Sequence, residues 1–107
     1  MTSEYKVLVA PRAERDLNDI QEYIRFELKN ISAARNVADE IERVLSNLGN
    51  MPQKYPMSDI SELRKEGYRK CVVHNYIALY KIDEKRKAII VTNIFNGIRD
   101  YKNLNIY

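Results

Sequence analysis

Arg64, Lys65, Arg69, Lys70, Tyr76, Tyr80, Arg99 and Tyr101 gather cations and phenols in the second half of a 107-residue chain. These are side chains that hold nucleic-acid phosphates and stack on bases. With them, an endoribonuclease needs neither metal nor histidine. The 2′-hydroxyl of RNA serves as internal nucleophile, cations steady the phosphorane-like transition state, and Tyr or Lys moves protons. The same residues also have a structural reading. Alternating Tyr and Lys suit a half-buried sheet, which is the preferred reading for Tyr76 and Tyr80, while at Arg69 and Arg99 the two readings balance.

Other chemistries fall away on spacing. Cys71 and His74 are the types a thiol nucleophile and its base require, but three residues apart on a regular strand they point to opposite faces. No second histidine exists to substitute, so both are expected to be structural. One histidine and scattered carboxylates show no metal-ligand spacing and no EF-hand pattern, so no metal and no cofactor are expected. Gly49, Gly67 and Gly97 are too dispersed for a phosphate-binding loop. The single cysteine excludes an internal disulfide and fits a reducing compartment.

The length fits one domain, residues 1–107, able to bury a core without staples. An apolar share of 45% and a charged share of 31% are ordinary for a globular chain, and no apolar run nears the ~20 residues that span a bilayer. The start MTSEYKVLVAPRAERD lacks the basic segment and cleavage pattern of a signal peptide, so the expected location is the cytoplasm, with no membrane contact. The net charge of +3 is unevenly shared: residues 1–50 carry −2 and residues 51–107 carry +5. Such a bias points to an acidic or polyanionic partner for the second half, although solvated charge alone gives similar values.

The elements that must position these residues follow from periodicity. Tyr5–Val9 reads as a strand, stopped by Ala10-Pro11. A helix starts at Pro11 and lines one face with Ala13, Leu17, Ile20, Ile24 and Leu28. Ser32 is the expected N-cap of a second helix, whose stripe of Ala34, Val37, Ala38, Ile41, Val44, Leu45 and Leu48 stops at Gly49. The short link between the helices implies an antiparallel hairpin. Residues 51–65 read as a loop with room for one short helical turn. Strands come next at Tyr68–His74, Tyr76–Ile82 and Ala88–Phe95, with Asn96-Gly97 as the closing turn. The expected fold is α+β, with helices on one face of a mainly antiparallel sheet and the other face left open.

In order and spacing, PRAERDLNDIQEYI, LGNMPQKYP, GYR at a strand start, NYIALY and the final NGIRDY resemble the RelE/ParE superfamily of bacterial toxins, over nearly the whole chain. The resemblance implies a toxin of a type II toxin–antitoxin module, neutralised in a hetero-oligomer by an antitoxin that wraps around it. RelE-like members cut mRNA in the ribosomal A site, and ParE-like members poison DNA gyrase. In the ribonuclease group, Arg69 and Arg99 would hold the scissile phosphate, with Lys70 or Tyr101 assisting proton transfer. Two departures count against that activity: Tyr76-Ile77 stands where the group often has Tyr-Arg, and Asn96 where many relatives place His or Tyr. An amide is not a useful acid or base near neutral pH. Tyr101 or Tyr107 would replace it only if the C-terminal segment folded back over the sheet. The balance favours a ParE-like toxin over a ribonuclease, with a non-toxic antitoxin-binding relative as the third reading. Antitoxin segments are commonly acidic and fold on binding, which suits the basic second half.

Overall fold

The computed structural model describes residues 5–103. β1 (Lys6–Val9) leads through an extended Ala10 into α1 (Pro11–Glu22). Pro11 occupies the first helical position, where its missing N–H would have had no partner, and Glu14 sits near the positive end of the helix dipole. The helix continues as a π-helical turn, Tyr23–Glu27, closed by the Leu28 N–H on the Tyr23 carbonyl at 3.3 Å. A π turn adds a residue to the repeat and rotates the residues after it away from the apolar stripe. Ile24 therefore stays buried while Leu28, expected to extend the stripe, is 58% exposed.

Lys29 takes a left-handed conformation (φ 53°) and turns the chain into α2 (Ile31–Asn47). The cap is Asn30, whose Oδ1 accepts the Ala33 N–H at 3.0 Å. Ser32, the expected cap, lies one step inside the first turn, because the link is shorter than the expected break at Asn30-Ile31-Ser32. Gly49 does follow the helix, for a reason other than backbone freedom: a Cβ there would run into the Tyr5 carbonyl oxygen. The Tyr5 N–H donates to the Gly49 carbonyl at 2.9 Å, so the end of the hairpin is stitched directly to the start of β1.

After a loop and the short α3 (Ser61–Lys65) come β2 (Arg69–Val73), β3 (Tyr76–Asp83), β4 (Ala88–Asn96) and the five-residue α4 (Ile98–Lys102). The sheet order is β1-β4-β3-β2, with β1 parallel to β4 and the other pairs antiparallel, as the α+β expectation requires. The hairpin covers one face, where Ala13, Ile20, Ala34, Ile41 and Leu45 bury against Cys71, Ala78, Tyr80 and Val91. The other face is not left open. Ile77 and Leu79 alternate with Ala78 and Tyr80, so β3 is apolar on both sides and needs cover on both. Leu63 of α3 and Tyr101 of α4 supply it, forming a second core with Ile77 and Leu79.

Two irregularities shape the surface. His74 belongs to the β2–β3 turn, at φ 55°, and not to the strand. In β4, Leu79 faces Asn93 and Tyr80 faces Val91, which leaves Thr92 as a bulge without an opposite residue. β1 accompanies β4 only to Val91. Beyond that point the Ile94 N–H is taken by the Asp16 carboxylate of α1 at 2.9 Å.

Candidate functional site

Arg69 and Lys70 are neighbours at the start of β2, and strand alternation sends their side chains to opposite faces. Arg69 lies on the hairpin side with Cys71, and its guanidinium donates to the Tyr55 carbonyl at 2.7 Å. Nearby, the Tyr80 hydroxyl donates to the Pro52 carbonyl at 2.7 Å. These two bonds hold the loop after α2 against the sheet. Burial pushes the Tyr80 hydroxyl up to about 12 and the Cys71 thiol up to about 11, so neither is an acid or nucleophile near neutral pH.

Lys70 projects to the other face, where its Nζ stands 5.4 Å from the centre of the Tyr101 ring and 3.4 Å from Asp59 Oδ1. Tyr101 is fully buried. Its ring meets Phe95 edge-on at 5.9 Å, and its hydroxyl donates to Asp59 Oδ1 at 2.8 Å while sharing a hydrogen bond with Ser58 Oγ at 2.5 Å. Lys102 closes the cluster at 2.8 Å from Asp59 Oδ2. Lys102 first, and then the Tyr101 hydroxyl, hold the Asp59 carboxyl well below the usual carboxylate range, and burial raises Tyr101 above its ordinary value. This arrangement clamps α4 onto the sheet. It does not present a free proton donor.

Arg99 is exposed on the outside of α4 and makes no ion pair or side-chain hydrogen bond among the described residues. Of the four residues expected to carry phosphate chemistry, the structure brings together Lys70 and Tyr101, and leaves Arg69 across the sheet and Arg99 outside the cluster. Tyr107, the other candidate proton donor, lies outside the described residues.

A cleft of about 460 Å³ lies between α1 and the free end of β4. From α1 it takes Arg12, Asp16 and Asp19, with Tyr23 from the π turn. β4 supplies Asn93 and Asn96, and α4 supplies Asp100. Three carboxylates thus face one guanidinium, and Arg12 already pairs with Asp16 at 3.3 Å. A phosphate would be repelled here. In sequence the acids of α1 look like an ordinary solvated face, and Ser58 and Asp59 sit in a loop without a period. Neither group carries a signal that would mark it as part of a site.

Residues 7–101 match the family model described as the ParE toxin of the type II toxin–antitoxin system parDE. The chain belongs to the ParE toxin family. No curated protein matches its sequence. Solved structures of low identity share the fold of this ParE-family toxin. The chromosomal ParDE system from P. aeruginosa aligns at TM-score 0.73 and 15% identity, covering 89% of this chain and 98% of that one. The toxin–antitoxin complex RelBE2 from Mycobacterium tuberculosis aligns at TM-score 0.62 and 19% identity, covering 90% and 94%. A mutant of the E. coli toxin RelE in the free state aligns at TM-score 0.59 and 10% identity, covering 86% and 82%. The ParE-family toxin thus shares its architecture with both named branches, and its own site residues must decide between them.

Proposed function

We propose that this type II toxin acts by binding a protein target, DNA gyrase, and is held inactive by a cognate antitoxin. The observation that carries this reading is Tyr101. This candidate proton donor for RNA cleavage is fully buried and spends its hydroxyl on Ser58 and Asp59. Arg69 and Lys70 on opposite faces, and an acid-lined cleft beside the last strand, support the same conclusion. Membership of the ParE family supports it independently. An antitoxin partner is supported by the solved relatives, which are described as toxin–antitoxin assemblies. No described helix is long and apolar enough to cross a membrane, and both candidate targets place the protein in the cytoplasm.

Purified toxin added to gyrase and relaxed plasmid should block supercoiling or trap cleaved DNA, and neither effect at micromolar toxin would sink the proposal. One observation favours the ribosome-dependent endoribonuclease instead: the Arg99 guanidinium is exposed and free to meet a phosphate. Primer extension on mRNA in a translation extract decides that alternative. New 5′ ends that vanish in Arg99→Ala would support it, and an unchanged pattern would dismiss it.

A further inference from the structure

The turn between β3 and β4 is the centre of a cationic end of the molecule. Lys85, Arg86 and Lys87 follow one another in it, and all three are exposed. Lys6 joins them from β1, where its N–H donates to the Lys87 carbonyl at 2.9 Å. Lys54 arrives from the loop after α2 and shares a shallow concavity with Tyr5 and Glu84. Against these five cations stand two acids, Asp83 and Glu84. Of the 18 basic and 15 acidic residues of the chain, that leaves thirteen of each, so the whole net charge of +3 resides at this end. Both acids are committed to the turn itself. The Asp83 carboxylate accepts the Arg86 N–H at 3.2 Å, and Glu84 accepts the Tyr5 hydroxyl at 2.6 Å. Asp83 also stands 3.8 Å from Arg86 Nε, an exposed pair of little strength. Lys6, Lys54, Lys85 and Lys87 make no ion pair among the described residues. β4 starts at Ala88 beside this turn and ends at Asn96, roughly 26 Å away at the usual rise of a strand, where Asp16, Asp19 and Asp100 line the acid cleft. A charge dipole of this kind turns a polyanion toward the cationic end.

We propose that this end binds the phosphate backbone of double-stranded DNA. A duplex carries one charge per ~1.7 Å of its axis, so a compact row of cations meets several phosphates at once without reading sequence. Single strands call for open aromatic rings on which bases stack. The two aromatics at this end are covered instead: Lys87 Nζ lies 5.0 Å from the centre of the Tyr5 ring, and Lys54 Nζ 5.5 Å from that of Tyr55. A protein partner would call for an apolar anchor at the centre of the patch, whereas the turn from Asp83 to Lys87 presents charged side chains alone. The choice of DNA as the duplex rests on the gyrase reading, since a toxin seated on gyrase works beside DNA.

The test titrates purified toxin into a fluorescent DNA duplex of about 20 base pairs and follows anisotropy, with single-stranded RNA of the same length as the comparison. Saturable binding with a Kd below about 100 μM is expected at about 50 mM salt, weakening at least about tenfold at about 200 mM as phosphate counterions compete. Lys85→Gln/Arg86→Gln, which alters only exposed turn side chains, should weaken binding at least about fivefold. Arg15→Gln/Arg35→Gln removes the same charge from exposed positions on α1 and α2, and should stay within about twofold of the wild type. No binding at the lower salt, equal weakening by the two variants, or tighter binding to the single-stranded RNA would overturn the proposal. The probe involves no gyrase, so a failure here leaves the target assignment standing, and duplex binding that maps to the turn stands whether or not gyrase is inhibited.

Discussion

The Tyr101 hydroxyl donates to the Asp59 carboxylate at 2.8 Å, joining a five-residue C-terminal helix to a loop 42 residues earlier in the chain. The same carboxylate receives Lys102 from α4 and Lys70 from β2, so a single acid ties together a loop, a strand and a helix. A phenol in this position stabilises the fold. Tyr101→Phe should cost roughly 1–3 kcal/mol, because it removes the phenol's buried hydrogen bonds to Ser58 and Asp59, and Tyr101→Ala roughly 3–5 kcal/mol as the second core also loses its largest ring. Urea unfolding of the two variants checks the ranking. A Tyr101→Phe protein as stable as the wild type would assign the hydroxyl to some other task.

The same carboxylate makes stability depend on acid. Asp59 is held below its unfolded value by Lys102 and Tyr101, so the folded state binds fewer protons than the unfolded one and stability rises with pH. The contribution is fully present above the unfolded value, near about pH 4, and is lost as pH falls toward the lower folded value. Asp59 is about half exposed, so solvent screening holds the effect to no more than about 1 kcal/mol. Thermal unfolding of wild type and Asp59→Asn should therefore differ at about pH 6 and converge as the buffer approaches about pH 2. A constant difference across that range would contradict the assignment.

The two arginines should behave oppositely. Arg69 holds the Tyr55 carbonyl, so Arg69→Ala should lower stability by roughly 1–2 kcal/mol and loosen the loop after α2. Arg99 forms no hydrogen bond or ion pair with a described side chain, so Arg99→Ala should stay within about 0.5 kcal/mol of the wild type. Unfolding curves and amide exchange at residues 51–58 measure both. Equal effects would mean that Arg69 is free for another role.

Glycine positions give a ranking with a single cause behind each rank. Gly49→Ala drives a Cβ into the Tyr5 carbonyl, backbone that is itself anchored by the Tyr5 N–H bond to Gly49, and should cost about 2 kcal/mol or more. Gly67→Ala meets nothing within 4 Å and bears only the strain of φ +91°, about 1 kcal/mol. Melting temperatures in the reverse order would show that the approach of Tyr5 to Gly49 is relaxed in solution.

Periodic apolar residues make the helical hairpin and the strands legible in the sequence, because a stripe such as Ala34, Ala38, Ile41 and Leu45 has one way to be buried. The exposure of Leu28 is not legible, since a π turn leaves no mark on composition. Ser32 and Asn30 compete as caps because both residue types cap helices and the two positions lie close together. The second core is hidden for a different reason: Ile77 and Leu79 announce a buried second face, but nothing local shows that Leu63 and Tyr101 return to cover it. The candidate site is legible by residue type and not by assembly. Arg69 and Lys70 look like one basic pair in sequence, and only the pleat shows that a sheet stands between them.

If this ParE-family toxin reaches its effect through a protein target and not through RNA chemistry, the most direct measurement is gyrase-mediated DNA cleavage. Purified toxin is assayed with and without its cognate antitoxin, and cleavage is scored as linear plasmid. Accumulation of linear DNA that antitoxin abolishes and that persists in Arg99→Ala is the predicted result. Intact plasmid at every toxin concentration, together with freshly cut mRNA in a translation extract, would contradict the account.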